Sequence, residues 1–189
     1  KAQGEFEGPI ANTTGGASIA YSPDGLHWTY HTDNPVVRHG RNYADASTIL
    51  GWDYLRRRYV AYYRPGHPLT HEIDGIGVHR HIRTIGYAES DDFIHWTPTR
   101  IMLAPDHRDR VDYQYMQFTA GIYCDFYVGF LQIQQTHEQT WETFLLSSRD
   151  GFNWTWVDRH VPVLSFGELG TYDAGYMSPS GPILHDGTI

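Results

Sequence analysis

Apolar and polar residues alternate in short runs along this chain, and no long stretch carries helical periodicity, so the predicted elements are strands. Residues 17–21 and 28–30 read as a first hairpin. A small-residue strand at 43–50 suits a crowded interior, and 58–63, Arg-Tyr-Val-Ala-Tyr-Tyr, has the composition of a strong neighbouring strand. The turn between them is 53–57. A long insertion over 65–81 leads to a strand at 82–89. The same order then returns: 112–118 resembles the small strand, 122–133 its partner and 143–147 the third. Residues 172–177 start the unit again, and 183–187 point to its second strand.

Each third strand runs into one motif. Ser148-Arg149-Asp150-Gly151-Phe152-Asn153-Trp154 shares a Ser-x-Asp-x-x-x-Trp spacing with Ser22, Asp24 and Trp28, and with Ser90, Asp92 and Trp96. The Asp of such a turn can bond nearby backbone N–H groups, and the Trp begins a returning strand. The copies recur at roughly sixty residues, above the roughly 40–50 of common propeller blades. The unit is thus strand A, B, C, turn, D, and four-stranded units repeated around a channel make a β-propeller. The expected fold is all-β, a β-propeller of four-stranded blades of which this chain covers only part. Half a blade falls at 17–30, blades at 43–98 and 112–157, and the start of another at 172–189. Because propellers need about four to eight blades, the remaining blades or another subunit are expected to complete the ring. Ile49, Tyr59, Val60, Tyr62, Ile85, Phe130 and Leu145 are expected in the cores between blades, each contributing roughly 1.5–3 kcal/mol when buried. Trp28, Trp96 and Trp154 are expected at equivalent places.

Strand order assigns the candidate chemistry to one end. If A starts at the upper face, the motif turns lie below, while Asp45, Asp112 and Asp173 lie above, at or near the starts of successive A strands. Glycosidic cleavage needs two carboxylates, one protonated and one ionised, and a funnel crowded with acids separates their pKa values by repulsion. Tyr43, Tyr113, Tyr115 and Tyr172 belong to the same mouth and can stack on sugar rings, while Gln114 or Gln117 can bond hydroxyls. The competing reading of the three Asp residues is that they cap strand starts and pair with Arg. His67, His71, His79 and His81 crowd the 65–81 insertion, read here as an upper-face loop bordering the funnel. Its Pro and Gly give no fixed ligand spacing, so no metal is expected, and the loop is read as making sugar contacts, through His67 and His71, or serving a neighbouring subunit. No cofactor is expected.

Composition narrows the partners. The 189 residues carry a formal charge of −8, which argues against nucleic acid. No apolar run approaches the roughly 20 residues of a membrane-spanning helix. Cys124 is the single cysteine, which excludes an internal disulfide, and its apolar surroundings predict a small core residue. Arg56-Arg57-Arg58 is read as a solvated turn. Asn12-Thr13-Thr14 and Asn153-Trp154-Thr155 match the glycosylation sequon, and localisation is not legible in the N-terminal residues.

With Ser90-Asp91-Asp92-Phe93-Ile94-His95-Trp96 in its turn, the blade unit resembles the five-bladed glycoside hydrolases of families 32, 43 and 68. The resemblance runs from about residue 17 to the end. Asp53-Tyr54-Leu55-Arg56-Arg57-Arg58-Tyr59 and Tyr172-Asp173-Ala174-Gly175-Tyr176-Met177 look most similar to bacterial proteins related to the family 32 N-terminal domain. The resemblance implies a glycosidase acting on a carbohydrate through funnel carboxylates. Asp45 would be the second-blade Asp that positions sugar hydroxyls and stabilises the transition state, Asp173 an acid/base candidate and Asp112 a modulator. Family 32 places Arg before its second-blade Asp and Pro after it, where this chain has Ala44 and Ala46, and its Glu-Cys pair is not found here. The blade bearing the family's nucleophile would precede Lys1. The rival functions are a non-catalytic glycan-binding or scaffold propeller and, more distantly, a sialidase-type enzyme. Against the last, Asp24-Gly25 and Asp150-Gly151 are adjacent where the sialidase motif separates Asp from Gly, and Arg38, Arg64 and Arg83 form no convincing triad.

Overall fold

The computed structural model describes residues 6–7, 16–38, 44–65, 68–73 and 76–181. Every regular element among them is a strand: β1 (Phe6–Glu7), β2 (Gly16–Ala17), β3 (Ala20–Tyr21), β4 (Trp28–Tyr30), β5 (Val37–Arg38), β6 (Ala44–Asp53), β7 (Arg58–Pro65), β8 (Pro68–Ile73), β9 (Ile76–His81), β10 (Ile85–Ser90), β11 (Arg100–Leu103), β12 (Tyr113–Tyr123), β13 (Phe126–Gln135), β14 (Thr140–Ser148) and β15 (Trp154–Trp156). Two four-stranded antiparallel sheets dominate, one in the order β11-β10-β7-β6 and one running β12-β13-β14-β15. Each is a meander, which short turns between sequential antiparallel strands favour. Smaller sheets pair β1, β4 and β3, and β2 with β5.

The 65–81 insertion contains a hairpin where an irregular loop was expected. β8 and β9 pair from Pro68 opposite His81 to Ile73 opposite Ile76. It leaves the sheet at Pro65, which lies opposite Ala44 at the start of β6. This end, also holding the start of β12, is termed the upper end. The three Ser-x-Asp-x-x-x-Trp turns lie at the other.

Three further expectations change. The strand expected at 122–133 is broken, because β12 continues to Tyr123 and the chain reverses at Cys124-Asp125. Cys124 takes a left-handed conformation there (φ 54°) and is exposed, so it is a turn residue rather than a core one. Residues 172–177 form no strand, contributing only a parallel bridge between Gly167 and Ala174. The second strand expected at 183–187 lies outside the described residues.

The sheets stack face to face. β7 is buried on both sides, so its alternation divides the core in two. Val60 and Tyr62 point with Ile85 and Tyr87 toward Tyr115, Phe118, Leu131, Ile133, Phe144 and Leu146 of the next sheet. Ala61, Tyr63 and Ala88 face Val36, Val37, Ile19 and Trp96 on the other side. Phe130 and Leu145, expected in the core, are only half-buried, and Tyr59 likewise. Alternation along β13 and β14 gives the buried phase to their neighbours, Leu131 and Phe144 among them. Gly129 has no room for a side chain: a Cβ would meet Phe118 Cζ at 2.4 Å and Trp154 Cζ3 at 2.7 Å. Those rings stand 4.7 Å apart, edge to face.

The three motif turns share one hydrogen-bond pattern. In each, the Ser hydroxyl accepts from the N–H three residues on, at 2.8 Å for Gly25, 2.9 Å for Phe93 and 2.9 Å for Gly151. One Asp oxygen accepts from the N–H groups two and three residues on, Leu26 and His27, Ile94 and His95, or Phe152 and Asn153. The residue after Asp has a positive φ in every copy, 75° at Gly25, 68° at Phe93 and 71° at Gly151, so glycine suits it. Trp28 and Trp96 donate to the carbonyls of Gly25 and Phe93, whereas Trp154 donates to Met102 Sδ.

These bonds hold all three carboxyls below their ordinary range. The His27 N–H acts first at Asp24 and the His95 ring at Asp92. Burial opposes ionisation at Asp150, but the N–H groups of Asn153 and Phe152 with the Asn153 and Ser148 side chains outweigh it, giving about 2. A folded-state pKa below the ordinary 3.8 means stability present above that value and lost as pH falls through the folded one. The melting temperature should therefore fall on acidification below about pH 4–5. A variant carrying Asp24→Asn, Asp92→Asn and Asp150→Asn should fall less steeply when followed by circular dichroism. Parallel curves would locate the acid sensitivity elsewhere.

The basic turn is an ion-pair network, not a solvated run. Arg56 and Arg58 both donate to Glu89 at 2.8 Å, Arg56 also bonds the Tyr87 hydroxyl, and Arg57 carries a positive φ of 57°.

Candidate functional site

The first strands of the two large sheets, β6 and β12, are in contact. Asp45 is on β6 opposite Arg64, and His71 is on β8 opposite Val78. Tyr43 and His67 lie outside the described residues. The Arg64 guanidinium crosses to the neighbouring sheet and donates to the Met116 carbonyl at 3.1 Å. Past the hairpin, the Arg83 N–H donates to Gln114 Oε1 at 2.8 Å and its carbonyl accepts from Tyr115 N at 3.3 Å. The insertion is thereby tied to the first strand of the next sheet.

Asp112 sits just before β12. Arg110 grips it with two bonds, Nε at 3.1 Å and Nη2 at 3.2 Å, and also reaches Glu138 and Gln135. Burial works against its charge, yet the His137 N–H and Arg110 prevail and hold the carboxyl below its ordinary value. An ionised, clamped group of this kind suits a modulator or a structural anchor better than a proton donor.

Tyr115 is 1% exposed, its ring 6.3 Å from Trp156 and its hydroxyl donating to Asp109 Oδ2 at 2.9 Å. It positions a loop, and its ring has no free face for a sugar. Gln117 accepts from the Ser178 hydroxyl at 3.0 Å. Tyr172 is almost fully exposed, and the adjacent Asp173 accepts from Thr171 Oγ1 at 2.6 Å. Gly167 permits that arrangement, since a Cβ there would lie 2.1 Å from Asp173 Oδ1. Segment 163–178 drapes over the upper half of the last sheet. Thr143 N donates to the Leu164 carbonyl, Trp141 N to that of Gly175 and Gln132 Nε2 to that of Met177.

Glu142 carries no motif and was not singled out by its sequence context. On β14 it is half-buried, and burial raises its carboxyl above the ordinary value against the opposing Gln135, Arg110 and Ser165. Gln135 Nε2 donates to its Oε2 at 2.5 Å.

The loops flanking this end are clamped by Arg159. Its Nη1 donates to Asp106 Oδ1 at 2.9 Å and Asp109 Oδ1 at 3.0 Å, while its guanidinium stacks 4.6 Å from the Trp156 ring. Asp109's side chain is 1% exposed. Replacing Arg159 with Leu would leave that buried carboxylate without its cation, and urea unfolding should show a loss of about 2–4 kcal/mol, below the full range for a deeply buried pair because Asp106 is partly solvated. A change within about 0.5 kcal/mol, as at ordinary surface sites, would show that the clamp is not structural.

A hollow of about 200 Å³ lies beside this clamp, lined by Ile82, Asp109, Arg110, Val111 and Tyr113 among others. A larger one, about 500 Å³, opens at the lower end around Arg149, Asn153 and Thr155. Asp45 and Asp112 belong to the upper end, whereas Asp150 of a motif turn lines the lower hollow. Among the described residues, no group of three or more His, Cys, Asp or Glu side chains is arranged to hold a metal ion.

No family model matches the chain, and no curated protein matches it. Solved structures do share its fold. One, described as a glycoside hydrolase, superposes with a TM-score of 0.60 at 19% identity, covering 90% of this chain and 50% of that one. A second, the complex of BT0996 with RGII, gives 0.62 at 19% identity with the same coverage. The chain therefore has a glycoside-hydrolase-like fold and spans about half the length of these structures.

Proposed function

We propose that the chain is part of a five-bladed β-propeller of the family 32 and 43 type that cleaves glycosidic bonds of a carbohydrate. The observation that carries this reading is the pair of four-stranded meanders whose first strands, β6 and β12, are in contact, with Arg64 opposite Asp45 reaching Met116 near the start of β12. In the families that the chain resembles, catalytic carboxylates sit at the starts of successive first strands. In this reading the remaining blades, or another subunit, close the ring. Asp45 stabilises the transition state, Asp173 serves acid/base chemistry and Asp112 modulates it. Tyr43, His67, His71, Gln117 and Tyr172 border the sugar, and Tyr115 supports the loop behind them.

The fold likeness to a glycoside hydrolase supports this reading. The full chain should release reducing sugar from at least one member of a panel of plant and microbial oligosaccharides. Binding to a panel member without release would identify a glycan-binding propeller instead. Neither binding nor release would end the carbohydrate reading.

A further inference from the structure

The strip of chain at 164–167 touches two carboxyls. Its Leu164 exchanges backbone hydrogen bonds with Thr143 of β14, N to O at 3.3 Å and O from N at 2.9 Å. Ser165 hydrogen-bonds the Glu142 side chain beside them. Two residues further, Gly167 donates its N–H to the Asp173 carbonyl at 3.0 Å and lies directly beneath the Asp173 carboxyl, which occupies the space of the missing Cβ. The next turn of chain returns to β14, where Trp141 N donates to the Gly175 carbonyl at 3.0 Å. Glu142 and Asp173 are therefore held by opposite ends of one four-residue strip, at the upper end of one strand.

Their surroundings fit a sugar. Tyr176 stands 5.1 Å from the Trp141 ring and is 58% exposed, and Tyr172 is more exposed still. Aromatic faces combined with directed polar groups are what a pyranose or furanose ring requires. We propose that Glu142 is the proton donor of this site and works in a pair with Asp173, an inference that rests on the glycosidase reading above. The Glu142 carboxyl gives its proton to the glycosidic oxygen as the bond from that oxygen to the anomeric carbon breaks. A water oxygen bonds to the anomeric carbon, and the proton it releases passes to the Asp173 carboxylate. Exchange with solvent then moves a proton from Asp173 back to Glu142, which restores both groups.

The environment of Glu142 supports the role. Burial disfavours its charged form, while Gln135 from β13, Ser165 from the strip and Arg110 from the loop before β12 oppose that effect only in part. Arg110 is itself occupied by Asp112 and Glu138, and Tyr113 stands beside them. A half-buried acid with its cation engaged elsewhere is suited to holding its proton above the ordinary carboxylate range.

The test uses aryl glycosides of pentoses and hexoses, in both anomeric forms, on the full chain. A 2,4-dinitrophenyl group departs without a proton, and unsubstituted phenol needs one. E142Q should stay within about tenfold of the parent on the dinitrophenyl glycoside and lose about 10²–10⁴-fold on the phenyl glycoside. Equal losses on both, or no loss on either, overturn the assignment while hydrolysis by the parent keeps the glycosidase reading. A parent that cleaves none of them, and no oligosaccharide, overturns both. If E142Q does not fold, carboxyl-carbon NMR titration of the unaltered chain decides. Glu142 should titrate above the ordinary 4.5, and titration at or below it sinks the proposal.

Discussion

Replacing Asp53 with Ala is expected to cost about 2–4 kcal/mol in guanidinium unfolding, among the largest effects available from one side chain of this chain. Asp53 is fully buried at the end of β6. One oxygen accepts from the N–H groups of Leu55 and Arg56, each at 3.0 Å, and fixes the turn into β7. The other accepts from the Tyr127 hydroxyl of the next sheet at 2.6 Å. Alanine removes all three bonds. The turn amides regain water near the exposed Leu55, but the Tyr127 ring is buried and its hydroxyl is left unpartnered. Asn should be milder, since its amide oxygen can still cap the turn. Tyr127→Phe alone should cost about 1 kcal/mol. In a double-mutant cycle the two should couple by about 0.5–3 kcal/mol, the range for residues in contact. Strict additivity would show that Asp53 acts only on its own turn. A second polar link, Tyr62 hydroxyl to the Gly151 carbonyl at 2.7 Å, joins the same two sheets and limits the damage.

The second large effect concerns turnover. Asp→Asn keeps shape and much of the hydrogen bonding while removing acid, base and nucleophile roles. In the full chain, Asp45→Asn should lower turnover by about 10²–10³-fold if it stabilises transition-state charge. Asp173→Asn should lose about 10²–10⁴-fold as a proton-transfer group. Asp112→Asn should lose less, because its carboxylate is already neutralised by Arg110, and part of its effect should appear as lower stability. Affinity measured by calorimetry should be largely kept in all three. Hydrolysis that survives every substitution would end the proposal for these residues. Binding with no turnover in parent or variants would identify a carbohydrate-binding protein.

Much of the architecture was legible in the chain because its signals are local. The Ser-x-Asp-x-x-x-Trp turns are built from hydrogen bonds spanning two or three residues, so spacing alone defined them. Strand order within β12 to β15 followed from short turns between consecutive antiparallel strands, whereas β7 and β10 pair across the long insertion. The placement of Asp45 and Asp112 near the starts of β6 and β12 came from that order.

What the sequence by itself could not determine depends on which groups meet across the fold. Cys124 reads as apolar core until β12 and β13 are paired, and the pairing puts the chain reversal on it. Phe130 and Leu145 are as apolar as Leu131 and Phe144, and only the neighbouring sheet decides which phase of each strand is buried. Arg56 and Arg58 resemble a solvated run because their partner Glu89 is more than thirty residues away. The ring of Tyr115 was drawn from the mouth into the core by Trp156 and Asp109. Glu142 stands in an ordinary Thr-Trp-Glu-Thr stretch, and it gains its raised pKa only when Gln135, Ser165 and a buried strand edge close around it. Local turn chemistry is carried by adjacent residues and can be read along the chain, whereas burial, partner choice and the proton affinity of a carboxyl are properties of the packed surroundings.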